Sequence, residues 1–575
     1  MKLAGWIALL IALFALAGCG GGGGGNNATL TYITNWANAG SATGGQSQRV
    51  TLTDLSGTLI QSFTVDNGTN SVQFTGLAPG SYVITSQLFS LLDLGGIQTG
   101  EMDAQVDVNG NTTFTSSVGD LPSSVVVSPA SASFAAQHTV QFFARLVNGA
   151  GVATFNAPGT FTWATLGGNS TVSSTGVVLG QSAGSGSVRA THSTTNLLGA
   201  ATLSISNPVI KTTKWTVIVF LNASNDLDSF SYGTNVPQMM RAAGNPDMRF
   251  VLQWKQAFIN GESTTPSFVG TRRMVLGTTK NELVQDMGTG VDMGSFQTMS
   301  DFITWCKTYY PAQRYCLVVW DHGNGWRRSK MAQRRGVSYD DDTGNHIDTW
   351  QLQQAIPSKV DILAWDASLM QMSEVAYEVK DLASYIVGSE ESPPGQGYPY
   401  DTIFAKFRDN PDDTTLNLAK AFVDKTLAVP DYASRKITQS VIDPTKLPAL
   451  ANSVKSLGAT MVTDIGQLQT IVPAVRSVAQ KYESDNRYFF DLEDICNRLN
   501  GSPGIPPDVV TAANAVIQSI GAAVVYEGHN TNSPGSHGIA IDFSPSSFYG
   551  NVASDYNQLQ WETASQWGNF LSVAP

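Results

Sequence analysis

Three short segments carry residue types that could do hydrolytic chemistry. The apolar run 317–320 ends in Asp321-His322-Gly323-Asn324-Gly325-Trp326. The apolar run 362–365 ends in Asp366-Ala367-Ser368. The run 383–387 ends in Gly388-Ser389-Glu390-Glu391, and Pro393-Pro394-Gly395-Gln396-Gly397-Tyr398 comes next. Histidine exchanges protons near neutral pH. A hydroxyl attacks a carbonyl when a base takes its proton. Glycines such as Gly323 and Gly325 let another backbone come close. A His, a hydroxyl beside an Asp and a Gly-rich acidic loop are the parts of a hydrolase site.

For these segments to meet, the runs before them must be neighbouring strands. Residues 215–221 form one more apolar run, the composition of a strand buried on both faces. Helical patterns lie at 349–356 and 370–382, the second with Val375, Val379 and Leu382 on one face. Strands alternating with helices imply an α/β domain with a mainly parallel sheet. Such sheets bind ligands beyond the carboxyl ends of their strands, where His322, Asp366, Ser368 and Glu390 fall.

A strand ending in His-Gly and then one ending in Asp-Ala and a nucleophile resembles peptidases of the caspase–haemoglobinase fold, and the clostripain family in particular. The matching pieces occur in order. They are 220–227 (an opening strand with its Asn-Asp loop), 320–326, 366–370 with Glu374, Tyr377 and Glu378, then 388–400, 488–492 and 537–543. The resemblance implies a caspase-like fold for 211–575 and cleavage of peptides after Arg or Lys. It implies His322 and position 368 as the catalytic pair, and Asp366 as the partner of the substrate's basic side chain. Gly323, Glu390, Gly395 and Gly397 are the further candidate substrate-binding residues. Arg334 and Arg335 lie where family members are often processed. Some members depend on calcium, which makes Asp340, Asp341 and Asp342 candidate ligands. A calcium ion needs roughly six to eight converging oxygens.

The departure from the family is at the nucleophile, which is Ser368 instead of Cys. A thiol ionises near neutral pH after a modest perturbation. A hydroxyl needs an adjacent base oriented by a third group. Cys306, Cys316 and Cys496 do not replace the thiol; they read as buried apolar residues. Three functions are compatible with this pattern: a peptidase homologue that binds basic peptides but is catalytically impaired, an active endopeptidase using Ser368 and His322, or an adhesion protein working through its amino-terminal domains.

The remainder of the chain points to export. Of 575 residues, 33 are Lys or Arg and 45 are Asp or Glu, a net charge of −12 that argues against nucleic-acid binding. Four cysteines exclude a disulfide-dense scaffold. Residues 1–18 read as a signal peptide, and Leu16-Ala17-Gly18-Cys19 resembles the bacterial lipobox, which implies a lipid on Cys19 and a membrane-anchored protein of the cell envelope. Residues 19–27 form a Gly-rich tether. Alternating stretches separated by Gly, Asn and Pro predict two β-sandwiches. The segment 28–120, with Thr75-Gly76-Leu77-Ala78-Pro79-Gly80-Ser81-Tyr82-Val83, resembles a carboxypeptidase regulatory domain; 121–210 resembles a bacterial immunoglobulin-like domain. The expected class is therefore multi-domain: two β-sandwiches, then an α/β domain over 211–575.

Overall fold

The architecture comes from a computed structural model that describes residues 28–36, 45–55, 57–155, 160–256, 268–327, 336–483 and 488–575. They fall into two compact units. One holds the described residues up to 130 with 143–162 and 190–200, and the other holds 131–142, 163–189 and 201–575.

The first unit is built on sheets. Ala28–Asn35 alternates buried and half-buried positions along its length, the period of a strand with one face in a core. It pairs antiparallel with Ser71–Leu77 and parallel with Thr112–Ser117. Thr112–Ser117 pairs in turn with Ala153–Thr154, so one six-stranded sheet draws strands from both sides of residue 120. A four-stranded sheet holds Leu59–Asp66, Ser47–Asp54, Gly80–Phe89 and Gln98–Val108. Leu30, Tyr32, Val50, Phe74, Ile84 and Met102 share one core. Tyr82 is buried, and its hydroxyl donates to the Ala78 carbonyl at 2.7 Å, closing the Pro-Gly turn.

The second unit contains a nine-stranded sheet. In chain order its strands are β1 (Thr213–Ala223), β2 (Met248–Gln256), β3 (Gly270–Val275), β4 (Glu282–Gly288), β5 (Ala312–Trp320), β6 (Val360–Asp366), β7 (Ala383–Gly388), β8 (Thr438–Ile442) and β9 (Val524–His529). Their order across the sheet is β4-β3-β2-β1-β5-β6-β7-β8-β9. The five strands from β2 to β7 are parallel, and the pairs beyond them are antiparallel. The continuous apolar runs exist because both faces are covered. Ile218 and Phe220 enter one core with Leu317, Val319, Leu363 and Trp365. Val217 and Val219 enter another with Val318, Ile362, Phe404 and Phe422. A single charge introduced at 217–221, 316–320 or 362–365 would therefore be desolvated whichever way it pointed.

The helix expected over 370–382 is shorter, Ser373–Glu378. The chain before it is held extended: Gln371 N donates to the Ser389 carbonyl at 3.1 Å, and Ala540 N donates to the Gln371 carbonyl at 3.0 Å. These pairings compete with helical bonds over 370–372. The 349–356 pattern becomes a 3-10 turn, Thr349–Gln351, running into Leu352–Ala355, with Asp348 and Gln351 forming a capping box. Among the described residues no helix is long and apolar enough to cross a membrane.

Candidate active site

Because β1, β5, β6 and β7 are adjacent and parallel, the segments after them emerge at one edge of the sheet. A cavity of about 300 Å³ opens there, lined among others by His322, Asp366, Ser368, Ser392, Gly395 and Gly397. The predicted histidine, hydroxyl, acid and glycine loop thus meet. A larger cavity of about 570 Å³ lies between β4 and residues 171–179, with Asp286 as its one ionisable lining residue. Its lining has hydroxyls and that carboxylate but no histidine, whereas the smaller cavity brings His322, Ser368 and Asp366 together and is the candidate site.

Ser368 sits in a tight turn directly after β6 and is half-buried. The next residue, Leu369, has φ of 63°, a left-handed conformation that costs a non-glycine residue about 1–2 kcal/mol. The neighbouring loop presses on this turn. A Cβ at Gly323 would lie 2.4 Å from Ser368 O and 3.1 Å from Ser368 N. Only glycine at 323 lets the His322 loop come this close to the turn.

Asp366 forms a wall of the cavity and is 6% exposed. Tyr400 Oη donates to its Oδ2 at 2.6 Å, and Tyr398 N lies 3.2 Å from both carboxylate oxygens. Burial pushes its pKa up to about 7, against the pull of these donors. Gly397 has φ of +61°, and a Cβ there would sit 2.6 Å from both Asp366 oxygens. A Cβ at Gly395 would meet the Phe230 ring at 2.6 Å. A Cβ at 323, 395 or 397 would therefore meet protein atoms, while Gly395 and Gly397 themselves line the cavity.

His322 is partly exposed, and its Nε2 lies 2.6 Å from Asp226 Oδ1. No hydrogen bond joins it to Ser368 among the described residues. Burial opposes the charged imidazole, but Asp226, Asp321 and Asp341 together hold its pKa above the ordinary histidine value. Asp321 is itself buried. It accepts from Asn225 Nδ2 at 2.7 Å, from His322 N at 2.6 Å and from Tyr339 N. Burial still raises its pKa to about 8.

Other predicted residues fall elsewhere. Glu390 is buried away from the cavity lining, where Gly538 N donates to its Oε2 at 3.2 Å. Burial, then the neighbouring Asp491 carboxylate, push its pKa far above the usual range. His537 bonds Asp491 at 2.9 Å, a partner that raises its pKa to about 9. Asp340 is held by Lys255, whose buried ammonium lies 2.8 Å from Oδ2 and 3.5 Å from Asp342 Oδ2. A lysine cation already occupies the place calcium would take, so these residues do not fit the ion. No group of three His, Cys, Asp or Glu converges as metal ligands among the described residues. Cys306, Cys316 and Cys496 are buried, and burial raises each thiol's pKa, so none stands in for a nucleophile. Cys19, Arg334 and Arg335 lie outside the described residues.

Sequence reading missed Asp226 as the partner of His322, although its Asn-Asp loop stood out. Tyr398 and Tyr400 were also missed as partners of Asp366. The signal for Asp226 was an acid just beyond the end of a buried strand. For the tyrosines only the pairing of β6 with the 394–400 loop reveals it.

The chain is similar to several known proteins. Clostripain of Hathewaya histolytica is 23% identical over 318 residues, which cover 46% of this chain and 60% of that protein. The match thus spans about three fifths of the curated relative's length. An inactive zymogen C11 protease from Parabacteroides distasonis shares 19% identity with a TM-score of 0.47, covering 62% of this chain and 99% of that one. A secreted C11 cysteine protease from Bacteroides thetaiotaomicron, solved with an irreversible peptide inhibitor, gives 19% identity, a TM-score of 0.46 and the same coverages of 62% and 99%. The sequence model of the clostripain family matches residues 219–573, more than half of the chain and all of the cavity described above, and the protein belongs to that family.

Proposed function

We propose that this chain is an exported, lipid-anchored clostripain-family protein that receives Arg- or Lys-containing peptides in the Asp366 cavity and is impaired in hydrolysis at Ser368. One observation carries the impairment. The hydroxyl at 368 has no hydrogen bond to His322 among the described residues. For serine to form the Oγ–carbon bond, its proton must pass to a base as the carbonyl electrons move onto oxygen. A thiol can lose its proton before the attack and needs no such bond. The basic side chain has a partner in Asp366, since a carboxylate can bind guanidinium through two parallel hydrogen bonds. The anchor rests on Leu16-Ala17-Gly18-Cys19.

The test is Ser368→Cys in the purified full chain, with intact mass and a reporter peptide bearing Arg or Lys as readouts. The expected result is new cleavage after basic residues, with self-cutting at Arg334 or Arg335 among the first products. That loop is present at high effective concentration. A variant that stays uncut and inert, with and without calcium, overturns the peptidase-site reading.

A further inference from the structure

The loop after β1 is built to hold one exposed carboxylate still. Asn225 Nδ2 donates to Asp321 Oδ1 at 2.7 Å and to the Tyr339 carbonyl at 2.9 Å. Its Oδ1 accepts from Leu227 N at 3.0 Å. The residue before Asp226 is thus pinned to Asp321, directly after β5, and to the strand Val337–Asp340, and the residue after it is pinned to Asn225. Between them Asp226 is 64% exposed, yet its Oδ1 lies 2.6 Å from His322 Nε2. The imidazole is also stacked on Tyr339, with ring centroids 6.1 Å apart and planes at 21°. Its Nδ1 makes no hydrogen bond among the described residues.

We propose that Asp226 is a positioning residue for His322: it takes Nε2 and leaves Nδ1 as the nitrogen that exchanges protons at position 368. This rests on the peptidase-site reading above. A ring that donates from Nε2 to a carboxylate can work only through Nδ1, because the partner of one nitrogen sets the state of the other. The titratable groups facing the ring are carboxyls and one phenol. Asp226 comes from the loop after β1, Asp321 from the end of β5, and Asp341 and Tyr339 from the segment after Gly336; Asp366 lines the same cavity. With a thiol at 368, the imidazolium would stabilise the thiolate. After the sulfur–carbon bond forms, it would pass its Nδ1 proton to the amine nitrogen as the carbon–nitrogen bond breaks. The imidazole returns neutral and the released peptide carries a complete amine.

The test uses the full chain with selectively labelled histidine, whose six signals are assigned through His322→Gln. Asp226→Ala and Asp226→Glu are compared with wild type by NMR titration and by the ring nitrogen shifts that report the tautomer. Asp226 is largely exposed, so removing its side chain leaves the fold intact. The expected result is a lower titration point for His322 and loss of the Nε2-protonated tautomer in Asp226→Ala, with both restored by Asp226→Glu. In the Ser368→Cys background, Asp226→Ala should lower kcat about tenfold or more with KM little changed, as for a displaced general acid. The alkaline limb of its kcat/KM profile should move to lower pH. Unchanged titration and tautomer in Asp226→Ala overturn the proposal, and so does an unchanged kcat in an active Ser368→Cys protein. If Ser368→Cys is inert, the peptidase reading fails, and the NMR comparison alone decides the role of Asp226.

Discussion

Replacing Asp366 by Asn should change how the stability of the α/β unit depends on pH. The carboxyl is 6% exposed, and burial raises its pKa from 3.8 to about 7 despite hydrogen bonds from Tyr400 and Tyr398. A displacement of that size corresponds to roughly 4 kcal/mol at about 1.4 kcal/mol per pH unit. Between about pH 4 and 7 the native chain holds this proton and the unfolded chain has lost it. Stability therefore falls as pH rises through that window and is flat, for this group, above it. Asn cannot titrate, so urea unfolding at pH 4.5 and 7.5, which spans most of that window, should show wild type losing roughly 3 kcal/mol more than Asp366→Asn. Glu374 and Glu378 are also raised, to about 8 and about 7, because they too are buried. They contribute equally to both proteins and cancel in the difference. The same proton controls the cavity. A guanidinium pairs with the ionised carboxylate, so calorimetry with N-acetyl-arginine amide should give an affinity that rises close to tenfold per pH unit up to about pH 7 and then levels off. In Asp366→Asn the affinity should be weak and independent of pH. Equal stability slopes in the two proteins would refute the argument, because Asp366 would then be ionised throughout.

Two further outcomes are expected. Lys255→Met should destabilise the α/β unit by about 3–5 kcal/mol in urea unfolding, because the buried Asp340 loses the ammonium 2.8 Å away; a loss under about 1 kcal/mol would contradict the pairing. Cys19→Ala should abolish acyl labelling and release the chain from the membrane fraction, as the Leu16-Ala17-Gly18-Cys19 tetrad implies; wild-type protein that takes up no acyl label would remove the anchor from the reading.

The strands that position the site were legible because burial on both faces leaves a run of apolar residues that nothing else in a soluble chain requires. Residues 317–320 and 362–365 mark β5 and β6 in this way, and the turns that leave those two strands line the cavity. The helices were less legible. The 370–382 pattern is apolar at helical spacing, but its first turn is taken by backbone pairing with Ser389 and Ala540, a long-range competition that periodicity does not report. Glu390 shows the same limit from the other side. Its place in a loop after β7 suggested the cavity, whereas Gly538 N and Asp491 draw it into the protein. Asp340 reads as one of three consecutive acids, and the lysine that neutralises it lies 85 residues earlier on β2.

The turn after β6 bears on why position 368 should be the step that differs. Leu369 holds a left-handed conformation at φ 63°, which glycine would adopt without strain. Asp366 is a carboxyl buried where an amide would avoid the cost of ionisation. Gly323 gives up a side chain so that one loop can lie on another. Each is a local cost at this turn: about 1–2 kcal/mol of backbone strain at Leu369, a buried acid at 366, and a position at 323 that admits no side chain. All three keep Ser368 presented to the cavity, beside a histidine and opposite an acid. On the proposed reading, a hydroxyl where the family carries a thiol leaves that strain and that burial in place. It lowers the reactivity proposed for position 368 and keeps the cavity around it, which is why Ser368→Cys is the perturbation with the most to reveal.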